Sequence, residues 1–163
     1  MITVSGSGPI ITDIELNRLE SALGITLPQS YREFLKKYNG GRPKPSGFPI
    51  QGLANNPKGI IQHFMGINQR IESSNLVWTF NTFKGRIPPS LLPCARDEGG
   101  SLICISLEGP DQGTIYYWYL KEEYGRPGYD NAYFVARNFS EFIESIHSYN
   151  PLKEDRSKNK NAS

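Results

Sequence analysis

Between Ile11 and Gly41 the sequence specifies two short helices together with their ends, and this fixes how the rest of the chain must fold around them. Thr12 and Glu15 have the spacing of a capping box, in which each side chain satisfies a backbone N–H that the first helical turn leaves free. Ile11 and Leu16 flank that cap at the spacing of a hydrophobic staple. Leu16, Leu19 and Leu23 then recur along one helical face. Gly24 suits the left-handed position that ends such a helix. Pro28 fits the first turn of the second helix, where no amide donor is needed. Tyr31, Phe34, Leu35 and Tyr38 form its apolar face, Lys36 and Lys37 suit its C-terminal dipole, and Asn39-Gly40-Gly41 stops it.

After this pair the pattern changes. Residues 42–59 carry Pro43, Pro45, Gly47, Pro49, Gly52, Pro57 and Gly59, which predicts a loop broken by a short strand near Phe48–Gln51. Ile60–Gly66 is expected as a strand. Ser73 or Ser74 is placed to cap a short helix through Leu76, Val77, Phe80 and Phe83. Leu91–Ala95, Ser101–Leu107, Thr114–Leu120 and Ala132–Arg137 read as strands joined by turn-rich connections, with Ile103, Ile105 and Leu107 on one face of the second. A last helix, capped by Asn138 or Ser140, carries Phe139, Phe142, Ile143 and Ile146. Sequential hairpins imply an antiparallel sheet and segregated helices. The expected fold class is α+β, a single domain with a mostly antiparallel sheet wrapped by helices.

The chain has 163 residues and a formal charge of +2. That length suits one domain with a core of its own. The expected organisation is a flexible lead-in over 1–11, a folded domain over 12–150 and a disordered basic tail over 151–163. Lys153, Arg156, Lys158 and Lys160 against Glu154 and Asp155 place the whole excess of +2 in the tail. Residues 1–150 are therefore neutral, which gives no electrostatic case for nucleic-acid binding. No apolar run approaches the roughly 20 residues of a membrane span. No basic, apolar leader opens the chain, so the expectation is a cytoplasmic protein. Cys94 and Cys104 make no disulfide framework. They read as small apolar residues, with one bridge open to them if their strands are neighbours.

The sequence carries no catalytic constellation. His63 and His147 lack partners at ligand spacing, and zinc, nucleotide and hydrolase motifs are absent. Each histidine reads as an ordinary surface or boundary residue. Asp97/Glu98 and Glu122/Glu123 are adjacent carboxylates in turns, where solvation rather than acid–base work is the ordinary state. No catalytic residue, cofactor or metal is expected. Tyr116-Tyr117-Trp118-Tyr119 is an aromatic strand whose alternate members face opposite ways. One face is core; the other is either a binding surface or covered by a loop.

Ile14–Gly41, with Leu23-Gly24, Leu27-Pro28, Tyr31, Phe34-Leu35 and Tyr38-Asn39-Gly40-Gly41, resembles the opening of the SUKH superfamily (SMI/KNR-like proteins). Arg86-Ile87-Pro88, Leu91-Leu92-Pro93, Ala95, Asp97, Gly99-Gly100, Leu102-Ile103-Cys104 and Tyr116-Tyr117-Trp118 resemble its centre. Asn131–Ile146 resembles its closing strand and helix. The resemblance covers roughly residues 12–147 and implies an α+β fold without catalytic residues. It also implies a bacterial immunity protein that binds and neutralises a cognate polymorphic or contact-dependent toxin, often a nuclease or deaminase. The alternative that it implies is a regulatory scaffold, as in the fungal cell-wall-signalling branch. The 42–59 loop and the basic tail are the segments that would dock a scaffold's partners. One departure stands out. Where family members run to an acidic WDHE-like segment, this chain has Trp118-Tyr119-Leu120-Lys121-Glu122-Glu123. The expected partner surface mixes aromatics and acids: Asp97, Glu98, Tyr117, Tyr119, Glu122 and Glu123, with Arg42 beside the glycine pair.

Overall fold

The capping box forms as the spacing requires. Glu15 N–H donates to Thr12 Oγ1 and Thr12 N–H donates to Glu15 Oε2, opening helix α1 over Asp13–Leu23. Such a cap contributes about 1 kcal/mol. Ile11 and Leu16 are both buried, completing the staple, and Gly24 closes the helix at φ 66°. Helix α2 (Gln29–Tyr38) follows directly after Pro28. Arg32 of α2 ties the two helices together, donating to Asp13 and Asn17 and forming an ion pair with Glu20.

The computed structural model describes residues 1–54 and 58–148. Within them eight strands and two further helices complete an α+β fold. The strands are β1 (Thr3–Ser5), β2 (Arg42–Lys44), β3 (Gly47–Pro49), β4 (Lys58–Phe64), β5 (Leu91–Asp97), β6 (Leu102–Ser106), β7 (Ile115–Trp118) and β8 (Ala132–Ala136). The helices are α3 (Leu76–Phe83) and α4 (Phe139–Ser145). Strands β3 to β8 form one antiparallel meander in sequence order, while β1 and β2 pair separately. Gln51 N–H donates to Phe134 O at 2.9 Å, bringing the segment after β3 onto the last strand. His147 pairs with Gly47 through two backbone hydrogen bonds and covers the β3 edge. Neither end of the meander is thus a bare template for another chain.

Helices pack on both faces of this sheet. Tyr117 and Trp118 are neighbours in β7 and so point opposite ways. Tyr117 meets Phe48, which meets Phe142 of α4; Trp118 meets Phe83 of α3. On the α4 side the rings run on through Phe139, Phe34 and Phe64. This two-sided cover explains why all five β6 residues are buried instead of alternating about Ile103, Ile105 and Leu107. It also decides the middle of the aromatic strand: Tyr117 and Trp118, on opposite faces, are both buried, while Tyr116 and Tyr119 stay half-buried.

Several local expectations change. Residues 1–11, read as a flexible lead-in, contain β1, and Ile2 and Ile11 are buried in the core. Residues 42–49 of the expected loop hold two strands. The proline content hid β2, yet prolines are tolerated in a two-stranded ribbon that needs few N–H donors. Gly41 makes that ribbon possible, because a Cβ there would lie 2.6 Å from Ser5 O. Asn75, not Ser73 or Ser74, precedes α3, and Glu72–Ser74 form a 3-10 turn. Cys94 and Cys104 lie buried on neighbouring strands as free thiols. The boundary at residue 150 and the basic tail lie outside the described residues.

The stop signal of α2 has a larger role than ending a helix. Asn39 adopts φ 44° and is buried. Its Nδ2 donates to Pro9 O at 2.7 Å and to Ile67 O at 2.9 Å, and its Oδ1 accepts from Ile67 N–H at 2.8 Å. Replacing Asn39 with Ala removes all three bonds and leaves a side chain with a Cβ at left-handed φ. The expected loss is about 3 kcal/mol or more in chemical denaturation. Asn39→Gly relieves the backbone but not the bonds, and should lose measurably less.

Candidate functional site

Strands β4 and β5 carry a bulge that sorts side chains between two concavities. Ile61 pairs with Asp97 and His63 with Arg96, so the extra residue Gln62 flips the alternation of β4. Bulges of this kind re-aim side chains at sheet rims. Asp97 goes with the buried Ile61 to one side, and His63 and Arg96 go together to the other.

The first concavity is a shallow groove of about 280 Å³ beside the β5–β6 turn. Four of the expected partner residues line it: Asp97, Glu98, Tyr117 and Tyr119. Their states differ. Asp97 is buried and accepts from Tyr117 Oη at 2.5 Å and from Ser101 N–H at 2.8 Å. Tyr117 is also buried, and burial followed by the Asp97 hydrogen bond pushes its phenol well up. This pair holds the turn together and is not presented to solvent, which corrects its place among the surface candidates. Tyr119 is half-buried and stacks on Tyr117 with ring centroids 5.8 Å apart. Glu98 is exposed and makes no ion pair among the described residues.

The remaining acids are engaged within the protein. Glu123 receives a bidentate pair of hydrogen bonds from Arg86, each 2.9 Å, which holds its carboxyl below the usual range. The Arg86 guanidinium in turn lies 4.5 Å from the centroid of the Phe83 ring. Glu122 accepts from Tyr133 Oη, and that bond, before burial, pushes the Tyr133 phenol up to about 12. The displaced acids after Trp118 therefore brace the 120–131 segment. Tyr124, beside them and absent from the sequence candidates, is 70% exposed.

Arg42 stands apart from the other candidates, in the second concavity. This cleft of about 730 Å³ lies between the Ser5–Pro9 turn, the start of β2, the β4–β5 rim and the 68–74 loop. Arg42, His63, Arg70 and Arg96 line it. The sequence marks His63 only as an ordinary surface or boundary residue and gives Arg96 no distinguishing signal. Only strand register brings them opposite each other, and no sequence spacing marks that. Burial lowers the His63 pKa first, then the charges of Arg96 and Arg42, while the Ser73 backbone carbonyl pulls the other way.

Among the described residues no cluster of three His, Cys, Asp or Glu residues is placed to hold a metal. No helix of those residues is long and apolar enough to cross a membrane. The Cys94 and Cys104 thiols are pushed up by burial, opposite to the shift that activates a nucleophile.

Comparison with known proteins places this geometry. Residues 10–145 match the SMI1 / KNR4 family (SUKH-1). The chain is also similar to a protein of Bacillus subtilis (strain 168) described as SPbeta prophage-derived uncharacterized protein YokK. The two are 30% identical over 152 residues, covering 84% of this chain and 75% of the relative. The chain belongs to the SMI1/KNR4 family, whose domains typically interact with other proteins.

The His63 environment has a measurable consequence. Its folded pKa lies below the ordinary 6.5, so the unfolded chain binds the proton more readily. Stability contributed by neutral His63 is present above about pH 6.5 and declines as pH falls toward the folded value. Denaturation at pH 7.5 and pH 5 should show a smaller acid loss for His63→Gln than for the native chain.

Proposed function

We propose that this SUKH-1 family member is a non-catalytic immunity protein that neutralises a cognate toxin by occupying its surface, acting in the cytoplasm where such a toxin is delivered. Family membership carries the reading. The prophage origin given for the Bacillus subtilis relative is in keeping with a gene that travels on a mobile element. A binder of this kind needs a complementary surface on a rigid scaffold and no reacting groups of its own.

The groove at the β5–β6 turn is the surface this reading favours. Glu98 projects at its rim, Tyr119 offers a half-buried ring backed by Tyr117, and exposed Tyr124 lies on the segment that follows β7. Tyrosines anchored in this way supply contact area at low entropic cost and are frequent at binding hot spots. The Asp97–Tyr117 hydrogen bond and the Arg86–Glu123 pair hold the backbone beneath them. The acids that the family resemblance would send to the partner thus support the surface here, and the contact passes to Glu98, Tyr119 and Tyr124. Lys58 and Lys121 line the same groove as Glu98, so a partner fitted to it presents charges of both signs beside a flat apolar patch.

Co-expression with the toxin encoded beside the gene, scored for host survival, tests the function. The native chain should restore growth, and unchanged killing would overturn the proposal. Glu98→Lys combined with Tyr119→Ala and Tyr124→Ala should abolish protection while leaving the melting temperature within a few degrees of native. Full protection by that variant would exclude this groove as the contact.

A further inference from the structure

The larger cleft carries charge that the protein leaves unanswered. Arg42, Arg70 and Arg96 line it, and no Asp or Glu does so among the described residues. None of the three guanidiniums forms an ion pair with a described residue. Elsewhere Arg32 pairs with Asp13 and Glu20, Arg86 with Glu123 and Arg137 with Glu141, while Arg18 and Arg126, which do not line the cleft, form no ion pair among the described residues. Arg96 Nε and His63 Nε2 are buried without any hydrogen-bond partner. A buried donor left open, as Arg96 Nε is, is uncommon and calls for a partner, whereas His63 Nε2, on a neutral ring that donates to the Ser73 carbonyl, is an acceptor. The two residues face each other across β4 and β5, so their open atoms belong to one wall.

We propose that this cleft is a binding site for a small phosphorylated molecule bearing at least two negative charges, held by Arg42, Arg70 and Arg96. A guanidinium presents its N–H groups in a planar fork that matches the oxygens of a phosphate group. Three such forks exceed what one carboxylate side chain can satisfy and match a phosphate dianion or a pyrophosphate. The half-open cleft, of about 730 Å³, is of the size of a small-molecule site. Hydroxyl and amide groups of Ser73, Ser74 and Asn68 line the same wall and suit the polar part of such a ligand. The site is fixed in place on both sides. One wall is the β4–β5 ladder, and the other is the 66–75 loop, which Asn75 holds through hydrogen bonds to Gln69, Ile71 and Glu72.

This site is separate from the groove proposed for the toxin, and its test does not depend on that reading. Inorganic pyrophosphate, adenosine diphosphate and inorganic phosphate are titrated into the full chain by calorimetry, with a poly-glutamate peptide as the competing acidic probe. Saturable one-site binding of pyrophosphate or the diphosphate is expected, weakening as salt rises. Arg96→Met and Arg42→Gln should each weaken it by about tenfold or more, the scale of one lost charge-assisted contact. Glu98→Gln should bind as the native chain does. The His63 ring resonances should move on saturation at fixed pH. Arg42 is exposed at the end of a two-stranded ribbon, so its variant decides the matter even if Arg96→Met does not fold. Absence of saturable binding by any phosphate probe at millimolar concentration would overturn the proposal. So would native affinity in both arginine variants, or binding of the peptide with the phosphates silent.

Discussion

The side chain of Asn39 is the fastening on which the rest of the arrangement depends. It sits at the left-handed end of α2 and bonds to Pro9 and Ile67, while its own carbonyl accepts from Gly8 N–H and from Gln69 Nε2. Three segments far apart in sequence are thereby tied at one buried point. The N-terminal segment is brought to the sheet, where β1 pairs with β2. The strand β4 exits into a loop held against the end of α2. The large cleft is the space between these tied segments, so its shape follows from one amide. Asparagine suits the position for two reasons: it tolerates positive φ, and its side chain both donates and accepts.

Charge in this protein is sorted by backbone geometry more than by composition. Arg96 and Asp97 are adjacent, yet the strand pleat sends them to opposite sides. The bulge at Gln62 then gives each an appropriate neighbour, His63 for Arg96 and Ile61 for Asp97. Without that extra residue, His63 would share the side of Ile61. Asp97 is answered within the protein by Tyr117 and Ser101, whereas Arg96 is not. A net charge near zero for residues 1–150 therefore conceals one cleft with three arginines, and one turn with a carboxylate at its tip, that form no ion pair among the described residues.

Local signals in the sequence were legible wherever the physics is local. The α1 cap, its staple, the Gly24 and Asn39 stops and the Asn138 cap each rest on contacts between residues a few positions apart, and each is present. The family pattern in the sequence led to the right fold for the same reason, since its fragments are mostly caps, turns and buried faces. Strand pairing is not local, and the sequence carries fewer signals of it. Pro43 and Pro45 marked a loop, but pairing with β1 makes a strand of residues 42–44. Tyr117 had the residue type of an interface anchor, and only the packing of β3 and α4 on its face shows it to be core. Arg42, Arg70, His63 and Arg96 carry no common spacing. They meet because the ribbon, the β4 bulge and the 68–74 loop converge, a result of topology that no window of sequence contains.

The same topology keeps the two concavities independent. They share β4 and β5, but what separates them is a backbone ladder flanked by buried side chains, with Ile61, Phe64 and Ala95 filling one side. Coupling between two sites requires an element with two arrangements that each ligand favours differently. The Asp97 turn is pinned by Ser101 and Tyr117, and the loop across the other cleft is pinned by Asn39 and Asn75. A partner bound at the Glu98 rim and an anion bound at Arg96 should therefore each leave the affinity of the other nearly unchanged. The fold acts as a fixed frame that shows different chemistry on its two sides, which is the property a family would need in order to change partners while keeping its core.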